Sequence, residues 1–168
     1  MSVRHVLQYP HPSLKRIARP VAAGEGALVE RVARDLIDTM HSSPGCVGLA
    51  ATQLDELVRV VVVDVRGHRR ATTSNGELVL VNPRVVRFSG AELGREGCLS
   101  LPDLTAKVTR ATEVVVEAAG RFGEPLIVES TGFEARCVQH EIDHLDGILF
   151  LDRVASLTND VFRRVRSG

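Results

Sequence analysis

The pentapeptide His140-Glu141-Ile142-Asp143-His144 restricts this chain more than any other stretch. Two histidines at i and i+4 leave a helix from one face, one turn apart, so both imidazoles can reach a single divalent ion at about 2.0–2.1 Å. The glutamate between them is close enough to take a proton from water at that ion. A charged helix face explains the same five residues without metal, so the remaining parts of a site must be found elsewhere. A catalytic site of this kind needs a third protein ligand and an open position. No Glu or His follows His144, and Phe150 stands where an extended form of the motif carries a third histidine. Asp146, Asp152 and Asp160 remain downstream. Upstream, Cys98 in Glu96-Gly97-Cys98-Leu99-Ser100 is the best candidate, because a thiolate binds zinc or ferrous iron strongly and a glycine lets backbone approach closely.

The motif needs a helix, and the local sequence supplies one. Phe133, Cys137, His140 and His144 share a helical face, no breaker follows Gly132, and Gly147 is a plausible stop. Thr131 and Glu134 are spaced for a capping box. A second amphipathic helix is predicted over residues 27–41, with apolar positions at Leu28, Val32, Leu36 or Ile37, and Met40, ended by Ser42-Ser43-Pro44-Gly45. Residues 1–26 read as an irregular arm. Between the helices, RVVVVDV, LVLVNP and RVVRF read as strands, the glycine-rich SGAELGREG follows them, and TEVVVEAAG-RFGE-PLIVES reads as a hairpin. One helix, many strands and one helix make an α+β domain, not alternating βαβ units.

At 168 residues the chain is expected to form one domain over 1–168. Its 21 basic and 21 acidic residues argue against a general DNA or other nucleic-acid binder. The most apolar stretch, Val58 to Val65, is interrupted by Arg59 and Asp64 and is too short to cross a bilayer. Three cysteines cannot form a complete disulfide framework, and the first twenty residues lack a secretory apolar core. The expectation is a cytoplasmic protein. Cys137 reads as a buried apolar thiol, and His5, His11, His41 and His68 as solvated.

Three ordered motifs resemble peptide deformylase: Cys46-Val47-Gly48-Leu49-Ala50-Ala51-Thr52-Gln53 is similar to GxGLAAxQ, Glu96 to Ser100 matches EGCLS, and Gln139 to Gly147 matches QHExDHLxG. The resemblance covers nearly the whole chain. It implies a hydrolase that removes the formyl group from N-formylmethionyl nascent peptides and releases formate. It implies an α+β fold in which antiparallel or mixed sheets surround a central HExxH helix. Cys98, His140 and His144 would hold one divalent metal, Fe(II) in cells, with zinc, nickel or cobalt able to take its place. Glu141 would be general base and then acid. Gln53 and the Leu99 N–H would stabilise the oxyanion, and Val47, Gly48 and Gly97 would line the peptide groove. Glu96 and Arg110 would form a supporting pair.

Some positions depart from the pattern. Cys46 replaces the first glycine of the first motif, which narrows the groove and brings a second thiol near the site. Arg136 stands one turn before His140, where the methionine pocket is lined. Arg163, Arg164 and Arg166 form a basic end, read as solvated in preference to a transient contact with ribosomal RNA. A metallopeptidase with an aspartate as third ligand, or a metal-binding protein without turnover, are the competing readings. The intact Glu141 argues against the second.

Overall fold

A computed structural model describes residues 2–164. The chain enters through an arm with one 3-10 turn, Pro12–Lys15, and then forms helix α1, Gly26–His41. Val29, Val32, Ala33, Leu36 and Met40 are its buried stripe, while Ile37 is only partly buried. Ser42 and Ser43 each donate a hydroxyl proton to the Thr39 carbonyl and so end the helix. Strands β1 (Gly48–Ala50), β2 (Val60–Val63), β3 (Leu78–Ser89), β4 (Glu92–Cys98), β5 (Leu101–Arg110), β6 (Glu113–Ala119) and β7 (Pro125–Thr131) follow. Helix α2 spans Gly132–Leu145, and a 3-10 turn (Phe150–Arg153) and strand β8 (Val161–Arg163) complete the described chain.

Five strands make one sheet in the order β1-β2-β3-β6-β7, and three make a second in the order β4-β5-β8. Every ladder between these strands is antiparallel. The all-valine β2 is buried on both faces, because α1 covers one side of the large sheet and α2 the other. Leu14, Cys98, Leu101, Ala106, Val108, Leu149 and Phe150 form a third core, against the small sheet. The α+β architecture around the HExxH helix is therefore present, and its sheets are antiparallel.

Several elements differ from the sequence expectation. LVLVNP and RVVRF are one strand, because Asn82 adopts φ 51° and the register shifts between Val81 and Arg84, carrying Pro83 past the ladder. The Asn82 side chain holds that kink by exchanging two hydrogen bonds with the backbone of Val21. The glycine-rich stretch forms β4. Gly94 is required there, since a Cβ would lie 2.9 Å from the Arg136 guanidinium. The capping box does not form: the Thr131 hydroxyl meets that of Thr73, and the Glu134 carboxylate accepts from Asn75 N at 2.7 Å and Ser130 Oγ at 2.7 Å. The hairpin and the helix stop are as read. At Gly147 φ is +72° and a Cβ would stand 2.5 Å from the Lys15 carbonyl oxygen, so the arm can close over this turn only at a glycine.

The end of α2 is tied to three other segments. The Leu145 carbonyl accepts from Ala18 N at 2.8 Å and from the Arg59 guanidinium at 3.0 Å, and the His144 carbonyl accepts from Thr52 Oγ1 at 3.3 Å. Among the described residues no helix is long and apolar enough to cross a membrane.

Candidate metal centre

Cys98 ends β4, where the register with β5 slips after Gly97 and turns the thiol inward. His140 and His144 come from α2, and the ligand atoms of all three residues lie within 4.8 Å of one another. A tetrahedral ion with sulfur at about 2.3 Å and nitrogen at about 2.0–2.1 Å sets those two atoms about 3.6 Å apart. Cys98 Sγ and His144 Nε2 are 3.4 Å apart and buried. His140 Nδ1 faces Glu96 Oε1 at 2.9 Å, which fixes the ring with Nε2 directed into the cluster. The donor set, its spacing and the carboxylate behind one imidazole all fit a divalent cation. The downstream aspartates do not compete: Asp146 pairs with Arg59 at 2.9 Å, Asp152 accepts from Leu149 N and Lys15, and Asp160 accepts from Ser156 N. A second grouping, His41, Asp64 and Glu77, is largely exposed, and its Asp64 is already held by Arg66.

Behind the tripod lies a buried ionic network. Arg110 donates to both oxygens of Glu96 at 2.9 and 3.0 Å and to Asp143 at 2.6 Å, and Arg136 donates to Glu96 at 2.8 Å. The Arg110 and Glu96 side chains are 4% and 5% exposed, so neither charge is stable without the other. Burial pushes the Glu96 carboxyl up, but the hydrogen bonds from His140 and Arg110 outweigh it and hold the group well below the usual carboxylate range. Burial pulls both imidazoles down. At His140 the bonds to Cys98 and Glu96 reverse that and raise it well above its ordinary value, while His144, beside His140, stays well below. A cation bound here would require each imidazole to present an unprotonated nitrogen.

Glu141 is buried beside these ligands, with Oε1 lacking a hydrogen-bond partner among the described residues. Burial pushes its carboxyl up to about 7, which suits a group that exchanges protons near neutrality. Gly48 makes room for it, since a Cβ there would lie 2.7 Å from Glu141 Oε2 and 3.1 Å from Cδ. Gly48→Ala is expected to displace the carboxylate and lower kcat about 100-fold with metal content unchanged. Steady-state kinetics beside elemental analysis checks this, and a metal-poor variant would place the damage in the tripod instead.

Gln53 is 1% exposed and fixed at both ends. Its Oε1 accepts from Ala50 N at 3.0 Å, and its Nε2 reaches Ser100 Oγ at 3.0 Å and Cys98 Sγ at 3.4 Å. A cleft of about 330 Å³ opens onto this centre, and Val47, Gly48, Gly97 and Leu99 are among its walls. All three cysteines also line it. Cys46, half-buried, donates to the Gly48 carbonyl at 3.2 Å, and burial pushes its thiol up to about 12, so it is protonated near neutrality. His68, expected in solvent, instead stacks on Phe133 at 4.4 Å and lines the cleft. Arg136 is buried, as it donates to the Glu92 and Val108 carbonyls besides Glu96. Arg164 reaches the cleft as well, and Arg166 lies outside the described residues. Neither His68 nor Arg164 carries a local signal that sequence spacing could reveal, since each arrives from a loop or terminus.

The chain is similar to known proteins of one family. The family model described as Polypeptide deformylase matches residues 3–160. A peptide deformylase of Nitrosococcus oceani is 38% identical over 164 residues, 98% of this chain and 94% of that one. Peptide deformylase 2 of Vibrio cholerae is 43% identical over 157 residues, 94% of this chain and 89% of that one. The Met-Ala-Ser-bound crystal structure of the class I type b peptide deformylase from Acinetobacter baumannii superimposes with a TM-score of 0.83 at 38% identity, covering 90% of this chain and 99% of that one. With its family model matched over almost its whole length, the chain belongs to the polypeptide deformylase family.

Proposed function

We propose that this chain removes the formyl group from the N-terminal formylmethionine of nascent polypeptides in the cytoplasm, releasing formate. The observation that carries the reading is the convergence of the Cys98 thiol with both imidazoles of the HExxH helix, with Cys98, His140 and the buried Glu141 lining one cleft. Cys98, His140 and His144 hold one divalent cation, Fe(II) in cells, with zinc, nickel or cobalt as substitutes. When bound, the cation acidifies water and polarises the formyl carbonyl. Glu141 accepts the proton that water gives up as it attacks the formyl carbon, and then delivers that proton to the leaving amine. The Gln53 amide and the Leu99 N–H donate to the oxygen on which charge grows, each lowering the barrier by about 3 kcal/mol. Gln53 does so without adding charge, and its fixed amide needs no reorganisation. The peptide lies extended along Val47, Gly48 and Gly97. Its methionine side chain sits against Phe133 and Cys137, an apolar wall suited to a thioether.

The test is a formate assay on formyl-Met-Ala beside a fluorogenic peptidase assay, on anaerobically purified protein of known metal content. Formate release at about one metal per chain is the expected result. Peptide cleavage without formate would reject the reading in favour of a metallopeptidase.

A further inference from the structure

The mouth of the cleft is cationic in a chain whose formal charges cancel. Arg70, Arg95 and Arg164 all line it, from a loop, from β4 and from just beyond β8. Each guanidinium is placed by its surroundings. Arg95 lies over the Phe162 ring at 4.2 Å, with Lys107 on the same ring at 5.7 Å. Arg70 lies over Phe133 at 4.7 Å and donates to the Arg95 carbonyl at 2.8 Å. Arg164 is anchored through its backbone N–H on the Asp103 carbonyl at 2.8 Å, and its guanidinium occupies the space a Cβ at Gly97 would need. Aromatic stacking holds a guanidinium in place while leaving its N–H edge free.

None of these three arginines has a carboxylate partner among the described residues. The acids lining the cleft lie at its floor, where Glu96 is already matched by Arg110, Arg136 and His140, and Glu141 faces the reacting atoms. Three like charges converging on one opening repel one another, and an anion entering there relieves that repulsion. The cleft leads from the metal centre past Gly97, so the anion belongs to whatever occupies it. An extended peptide advances about 3.3 Å per residue, so with the formyl group at the tripod the residues after the methionine are the ones that approach the three guanidiniums. At about 330 Å³ the cleft suits a peptide better than a nucleic-acid helix.

Resting on the proposed deformylase reading, we infer that Arg95 and Arg164, with Arg70, are specificity-determining residues. They select formyl-methionyl chains carrying aspartate or glutamate just downstream of the methionine, through charge-assisted hydrogen bonds from the guanidinium edges to the carboxylate. The rim acts on the substrate and takes no part in proton transfer.

The experiment compares kcat/KM for formate release from three C-terminally amidated peptides, formyl-Met-Ala-Glu, formyl-Met-Ala-Gln and formyl-Met-Ala-Lys, at low salt and at 0.5 M salt. Exposed ion pairs acting together should favour the Glu peptide over the Gln peptide by about tenfold at low salt, mostly through KM, with the Lys peptide poorest. The preference should shrink at 0.5 M salt, fall stepwise in Arg95→Gln and Arg164→Gln, and reverse in Arg95→Glu. Equal kcat/KM for the Glu and Lys peptides would overturn the inference while leaving the deformylase reading intact. So would an acidic preference that all three variants keep. Salt-sensitive binding of a ribosomal RNA hairpin that Arg95→Glu abolishes, without any peptide preference, would assign the rim to RNA instead. No formate from any of the three peptides would defeat the functional reading itself.

Discussion

Glu141→Ala is expected to retain close to one metal per chain and to lose turnover by about 10²- to 10⁴-fold, the range a positioned general base contributes. The carboxylate touches none of the groups that hold the tripod together: Glu96 orients His140, Arg110 backs Glu96, and Gln53 faces Cys98. Removing Glu141 therefore takes away a proton acceptor and leaves the cation site standing. It also removes a buried Oε1 without a partner, so the variant should melt no lower than the parent. Cys98→Ser inverts the pattern, because a neutral hydroxyl is a poor substitute for a thiolate at a zinc or ferrous site, and metal content should fall well below one equivalent. Full activity in Glu141→Ala would sink the mechanism, and unchanged metal in Cys98→Ser would remove that sulfur from the tripod.

Glu96→Ala should be the most destabilising change near the site. It leaves Arg136 buried with only carbonyl partners, deprives Arg110 of two of its three carboxylate bonds, and frees His140 Nδ1. Breaking a buried ion pair by removing one partner costs about 3–5 kcal/mol. Loss of the group orienting a ligand histidine lowers metal affinity by about 10- to 100-fold. The acid response carries the same information. The Glu96 carboxyl is depressed in the folded chain, so its contribution is present above its unfolded value near 4.5 and is lost as pH falls below that toward the folded value. Denaturant titrations of the metal-free protein should show the parent losing stability through this acid window and Glu96→Ala responding less steeply. Parallel acid limbs would show that Glu96 is not the group responsible.

Much of this molecule can be read from local sequence. The stripe of α1, the β-branched β2, the β6–β7 hairpin and the HExxH face of α2 each carry their own periodicity or turn residues. Three side chains that the structure brings together, Cys98, His140 and His144, stood out in the sequence too, because a thiol in EGCLS and a histidine pair are rare residue types in restrictive spacing. What escaped depends on partners distant in the chain. The segment forming β4 is rich in glycine and has little strand propensity of its own, and it is extended because β5 pairs with it across residues 92–110. Thr131 and Glu134 are spaced for mutual capping, yet Asn75 from another loop takes the carboxylate. Arg136 looks like a charge intruding on an apolar pocket until Glu96 and three strand carbonyls are seen to surround it.

Helix termini ordinarily fray, and His144 stands one residue from the end of its helix. The bonds that Ala18, Thr52 and Arg59 make to the last carbonyls stitch that end to the N-terminal arm and to the segments around β1 and β2. Chelator treatment is therefore expected to leave this end of the helix wound, so that added metal restores activity without a refolding step; a loss of helical circular dichroism on chelation would show otherwise.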